Sequence, residues 1–127
     1  MLRAFLLVGL GGAVGSMARY GCFLAISNRR FGEFPFATLT VNLLGCLLFG
    51  VLVGLSQKWN IAREDLMLIL ATGFCGGFTT FSAFAGDSLS LVSKNMSVQA
   101  VLYASLSVVL GLLLCRAGIW LSSEILD

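Results

Sequence analysis

Residues 66–92 read LMLILATGFCGGFTTFSAFAGDSLSLV, a run apolar enough to enter a bilayer yet disturbed at its centre. The segment Gly73-Phe74-Cys75-Gly76-Gly77-Phe78-Thr79-Thr80-Phe81-Ser82 brings glycines and β-branched threonines together, and both residue types disfavour helix. Residues 66–75 cover only ~15 Å and residues 80–92 ~20 Å at 1.5 Å per residue, so neither half crosses ~30 Å of hydrocarbon alone. The third span is therefore expected to be a helix broken near the bilayer midplane. Non-helical backbone at that depth survives only where it is buried in protein or lines a hydrated cavity. A broken helix also presents a free carbonyl end and a free amide end, an arrangement with which transporters hold ions. The break is thus a candidate ion site; a glycine-rich kink that only lets a neighbour pack is the other reading.

Outward from this run, residues 2–26, 36–55 and 98–121 form three more apolar stretches, each near or above the ~20 residues a crossing needs. The 127 residues are 58% hydrophobic and 11% charged, with a mean hydropathy of +0.98. That composition belongs to a membrane protein and leaves almost nothing for a soluble domain. The expected architecture is one all-α integral membrane domain over residues 1–127, with four transmembrane helices. The first stretch has one basic residue ahead of it, outruns the apolar region of a secretory signal and contains Arg19, so it reads as a retained span.

The connections, residues 27–35, 56–65 and 93–97, are short, which predicts that consecutive helices are antiparallel neighbours. Gly11 and Gly15, and Gly50 and Gly54, recur at i, i+4 and read as faces for close backbone approach. Cys22, Cys46, Cys75 and Cys115 form no C-x-x-C pair and the chain has no histidine, so they read as small buried hydrophobes.

A net charge of +2 spread over short loops gives no basic patch for nucleic acid. Its distribution says more. Arg3, Lys58, Arg63 and Arg116 fall on one side of the membrane; Arg29, Arg30 and Lys94, joined by Arg19, fall on the other. Lysine and arginine bias orients membrane proteins, so a near tie predicts insertion in both directions. The alternative is that a one-residue excess still selects one topology.

Few polar residues interrupt the spans. Asn42, in Thr38-Leu39-Thr40-Val41-Asn42-Leu43-Leu44-Gly45, carries two donors and an acceptor that cannot face lipid unpaired; it must meet water or a neighbouring helix. Phe81 and Phe84 share a face just after the break. Their positive ring edges could solvate a small anion weakly, as permeation requires; packing against core or lipid is the alternative. Tyr103 and Ser107 make a hydroxyl stripe with Gly111 on span four. Arg19 and Asp87 are the charges nearest the spans, either functional or close enough to an end to snorkel; Arg19 is read as an anion-attracting or structural charge near a vestibule. No histidine, serine–base pair or carboxylate dyad suggests an enzyme.

Taken together, the segments Gly11-Gly12-Ala13-Val14-Gly15-Ser16-Met17-Ala18-Arg19-Tyr20, Thr38 to Gly45, and Gly73 to Phe84 make the chain resemble the CrcB/Fluc fluoride channels over its whole length. The resemblance implies a multi-pass protein of the cell membrane, an antiparallel, dual-topology homodimer surrounded by lipid. It implies two pores for fluoride ion and a structural sodium ion on the central axis. Main-chain carbonyls of Gly76 and Thr79 from both subunits would hold the sodium. The pore residues would be Phe81, Phe84, Asn42, Tyr103 and Ser107, with Thr38 beside them. Three positions depart from the family: Ala83 stands for threonine, Ala37-Thr38 for glycine-threonine, and Asp87 for glutamate. Two rivals share the gross architecture, a small proton-coupled multidrug exporter using Asp87 and a non-transporting subunit of a larger complex.

Overall fold

Helices that are apolar on every side have no reason to stay in water, and here they extend long enough to cross a membrane. The computed structural model describes residues 1–27, 32–58 and 64–124, and every regular element among them is helical. We number them α1 (Leu2–Ser27), α2 (Phe36–Lys58), α3 (residues 64–78), α4 (Phe81–Ser93) and α5 (Ser97–Glu124). Four candidate membrane spans result: Leu2–Ile26, Phe36–Gln57, Glu64–Ser93 and Ser97–Glu124. The protein is an all-α, multi-pass membrane protein whose third span is divided into α3 and α4. Of the basic residues in the charge count, Arg29, Arg30 and Arg63 lie outside the described residues, as does the Lys58 side chain.

Local signals set the ends. Pro35 precedes α2, and its carbonyl accepts the Leu39 N–H at 3.1 Å. The turn between α4 and α5 passes through Asn95 at φ 58°, a left-handed conformation that asparagine tolerates. There the Met96 N–H closes on the Leu91 carbonyl at 2.9 Å, satisfying one of the last carbonyls of α4.

The expectation that consecutive helices are the principal neighbours needs correction. α1 packs chiefly on α3, and α2 on α5; α1 and α2 touch only lightly. Both main pairs are parallel. Going up α1, Gly11 meets Ile69, Gly15 meets Phe74 and Phe78, and the Ser16 hydroxyl reaches the Gly77 carbonyl at 3.4 Å. Going up α2, Gly50 meets Cys115 and Gly54 meets Ile119 and Ser122. Lipid tails are as apolar as leucine, so pairs that bring bare backbones together win over pairs that are merely adjacent in the chain. A Cβ on Gly15 would collide with the Phe74 carbonyl, and one on Gly118 with the Leu47 carbonyl.

Fully enclosed side chains are few, Val41, Tyr103 and Ser122 among them. A cluster of Leu39, Leu91, Ala100 and Tyr103 ties α2, α4 and α5 together. Large apolar side chains such as Phe5 at 75% and Leu112 at 70% exposure cover the outside, as a lipid-facing surface requires.

Gly118→Ala should destabilise the detergent-solubilised protein by about 1–3 kcal/mol, the usual cost of overpacking. Gly9, which has nothing within 4 Å of its missing Cβ, should accept alanine with unchanged or slightly raised stability. Thermal unfolding followed by size-exclusion chromatography compares the two, and equal loss in both would refute the packing argument.

Candidate functional site

The break falls on the threonines and not on the glycines. α3 stays helical through Gly76–Phe78, after a wide π-helical stretch over Leu68–Cys75. Thr79 (φ −79°, ψ 159°) and Thr80 (φ −150°, ψ 115°) are then extended before α4 begins. The sequence expectation ended the first half at residue 75 and put the glycines in the break. Instead the β-branched pair leaves the helix, as its crowded χ1 favours, and the glycines serve contact. Gly73 and Gly77 lie on the α1 backbone at Val8 to Gly12, while the Gly76 Cα faces open space.

Breaking a helix in the membrane strands backbone groups, and side chains meet several of them. The Asn42 amide clasps Thr80: its Nδ2 donates to the Thr80 carbonyl at 3.1 Å, and its Oδ1 accepts the Thr80 N–H at 2.8 Å. The Thr80 hydroxyl accepts the Ala83 N–H at 3.1 Å and so caps α4. The carbonyls of Gly76 to Thr79 lose their helical donors at the break, those of Gly76 and Thr79 because their donors are taken by side chains. In an unbroken helix the Thr80 N–H would serve Gly76, and the Ala83 N–H would serve Thr79. Thr79 turns its own N–H (2.9 Å) and hydroxyl (2.8 Å) back to the Cys75 carbonyl. Its methyl fills the space that a Cβ on Gly45 would need.

Two cavities open at the break. The first, about 290 Å³, is lined by Asn42, Thr80, Phe81, Phe84, Ser107 and Val108; the second, about 280 Å³, by Gly45, Ala71, Cys75, Gly76 and Cys115 with Phe49. Cys46 and Thr79 wall both. In the first cavity the rings of Phe81 and Phe84 are 5.6 Å apart and inclined at 39°. Phe81 is 79% exposed, so a single chain supplies only part of the enclosure. Ser88 and Ser122 bond back to their own helices, at Phe84 and Ile119, and Ser16 reaches across to Gly77. Among the described residues, the Ser107 hydroxyl is the buried side-chain polar atom left without a partner.

Four of the residues expected in the pore, Asn42, Phe81, Phe84 and Ser107, thus share one cavity. Thr38 and Tyr103 do not join them. Both are buried one step away around Asp87, whose Oδ2 accepts from the Thr38 hydroxyl at 2.6 Å and the Tyr103 hydroxyl at 3.5 Å. A ring contact of 5.2 Å between Phe84 and Tyr103 connects the two groups. Gly76 and Thr79 line the second cavity together. Arg19 is half-buried on α1 and lines neither.

The sequence reading missed Thr80 as cap and as the clasped residue, and Cys46 as the shared wall. A threonine directly before an apolar helix start is a recognisable capping signal. Nothing in the local sequence marks Cys46.

Comparison with known proteins bears on this arrangement. Residues 6–119 match the family model described as CrcB-like protein, Camphor Resistance (CrcB). The chain belongs to that family. A protein of Flavobacterium psychrophilum named "Fluoride-specific ion channel FluC" is 40% identical over 124 residues, 98% of this chain and 100% of the relative. A protein of the same name from Azobacteroides pseudotrichonymphae is 44% identical over 111 residues, 87% of this chain and 89% of its own. Another from Chlorobium phaeobacteroides is 44% identical over 119 residues, covering 94% and 92%.

Asn42→Ala should leave the Thr80 N–H and carbonyl unpaired, at about 1–3 kcal/mol for each buried group. An Asn42→Ala protein with the parent's unfolding temperature would show that the clasp does not hold the break.

Proposed function

We propose that the chain is a passive, fluoride-selective channel that exports cytoplasmic fluoride across the cell membrane. The observation that carries this reading is the cavity at the break, where the unpartnered Ser107 hydroxyl, the Asn42 amide and two phenylalanine rings converge inside an apolar span. Family membership and the names of its relatives supply the anion. One Asn42 N–H remains beyond the one given to Thr80, so the cavity offers two neutral donors and weakly positive ring edges. A small, hard anion gains most from such donors, because the interaction grows as the distance shrinks. None of these groups is a full charge, so the ion is free to leave. Arg19 would draw anions towards a vestibule.

The working unit in this reading is an antiparallel homodimer with two pores. The exposed Phe81 and the part-open cavity support it, since a second copy would complete the wall. A structural sodium ion on the axis suits the same geometry. The Gly76 and Thr79 carbonyls have lost their helical donors, and a hard cation takes oxygen ligands of this kind. Four such carbonyls would come from two chains.

Purified protein in liposomes should release fluoride and retain chloride. Absence of fluoride efflux, equal chloride efflux, or flux that follows a proton gradient would reject the reading. Ser107→Ala should slow efflux by roughly 3- to 10-fold, the weight of one hydrogen bond, and Phe81→Ile should also slow it; unchanged rates would remove these residues from the pore. A C-terminal tag should be found on both faces of the membrane, and a tag confined to one face would exclude the antiparallel arrangement. Exchanging sodium for a large organic cation during purification should lower the thermal stability of the dimer, and an unaltered transition would argue against the axial ion.

A further inference from the structure

We propose that the second cavity binds a soft monovalent cation, Ag(I) or Cu(I), between the thiolates of Cys46 and Cys115. Three of the four cysteines reach this one cavity from three different helices, Cys46 from α2, Cys75 from α3 and Cys115 from α5. Cys22, on α1, lines neither cavity. All four are free thiols.

Cys46 and Cys115 are the natural pair. α2 and α5 run parallel at backbone contact here: a Cβ on Gly50 would strike the Cys115 main chain, and one on Gly111 would stand 3.4 Å from the Cys46 sulfur. Gly111 and Cys115 lie four apart, on one face of α5. The Cys46 thiol therefore rests against the turn that carries Cys115.

The donor set decides the class of ion. Among the described residues, no group of three or more histidine, cysteine or acidic side chains is placed to hold a metal. That argues against a tetrahedral zinc-type centre. Two thiolates suffice for Ag(I) and Cu(I), which favour sulfur and accept linear coordination. In the channel reading the Gly76 and Thr79 carbonyls would offer oxygen to a hard cation, whereas the thiolates take a soft one. On binding, each S–H bond breaks, its proton passes to water and an S–metal bond forms, with no change of oxidation state. Two thiolates and one monovalent cation leave a net charge of −1. Because Cys46 also walls the Asn42 and Phe81 cavity, that charge repels an anion there.

The test uses the full-length protein carrying Cys22→Ser, in chloride-free buffer with silver nitrate. X-ray absorption at the silver edge should show two sulfur neighbours in this protein and one after further exchange of Cys46 or Cys115 for serine. A single sulfur in the starting protein, or two persisting in both variants, would overturn the site. The second arm rests on the channel reading: silver should reduce fluoride efflux at least tenfold in the Cys22→Ser protein. Cys115→Ser added to it should preserve the silver-free rate and abolish the inhibition. Inhibition that survives Cys115→Ser would refute the charge mechanism. If neither protein passes fluoride without silver, the channel reading fails while the absorption result still decides the metal site.

Discussion

A helix interrupted inside a bilayer has no water to satisfy the backbone groups it exposes, so the interruption exists only if protein supplies partners. Here the Asn42 amide does so, giving and taking one hydrogen bond with the main chain of Thr80. The Thr80 hydroxyl then starts the next helix by holding the Ala83 N–H. Fixing these donors determines what is left over. The carbonyls of Gly76 and Thr79 lose their helical donors, and one Asn42 N–H is left over. The two cavities that meet at this device share Thr79 and Cys46 as their common wall.

That device needs helices held without much lateral freedom, and hydrophobic burial cannot supply the constraint where the solvent is itself apolar. Bare glycine surfaces do. Gly11, Gly15, Gly73 and Gly77 lock α1 to the half-helix before the break, while Gly50, Gly54 and Gly118 lock α2 to α5. Asn42 on α2 then bridges to the break carried by the other pair. The two glycine-bound pairs meet through few direct backbone contacts, which makes the Asn42 clasp a connection between halves as well as a cap.

The four spans were legible in composition and length alone, because crossing a bilayer constrains both. The broken third span was legible too, but its position was displaced by three or four residues. Glycine has low helix propensity in water, whereas in a membrane it is equally a contact residue, and sequence alone did not separate the two uses at Gly73, Gly76 and Gly77. Neighbour identity was lost for a related reason: loop length gives direction, but the choice of α3 over α2 as the partner of α1 depends on matching glycine faces far apart in the chain. Asn42, Phe81, Phe84 and Ser107, singled out by their chemistry, line one cavity. Thr38 and Tyr103, expected beside them, turn their hydroxyls to the Asp87 carboxylate instead of to that cavity, a long-range pairing that helical spacing does not reveal.

The Asp87 cluster bears on how an anion could cross at all. An ion in a low-dielectric span loses hydration worth many kcal/mol, and only donors aimed at it compensate. Thr38 and Tyr103 have given their hydrogens to a carboxylate and have none to spare while that arrangement lasts. Ser107 and the second Asn42 N–H remain among the side-chain donors at the cavity. In the proposed channel, neutral donors with ring edges beside them would lower the barrier to an anion without trapping it, since none carries a full charge. In that reading the unpartnered Ser107 hydroxyl is a donor left available to the ion, where a hydrogen bond made within the protein would withdraw it.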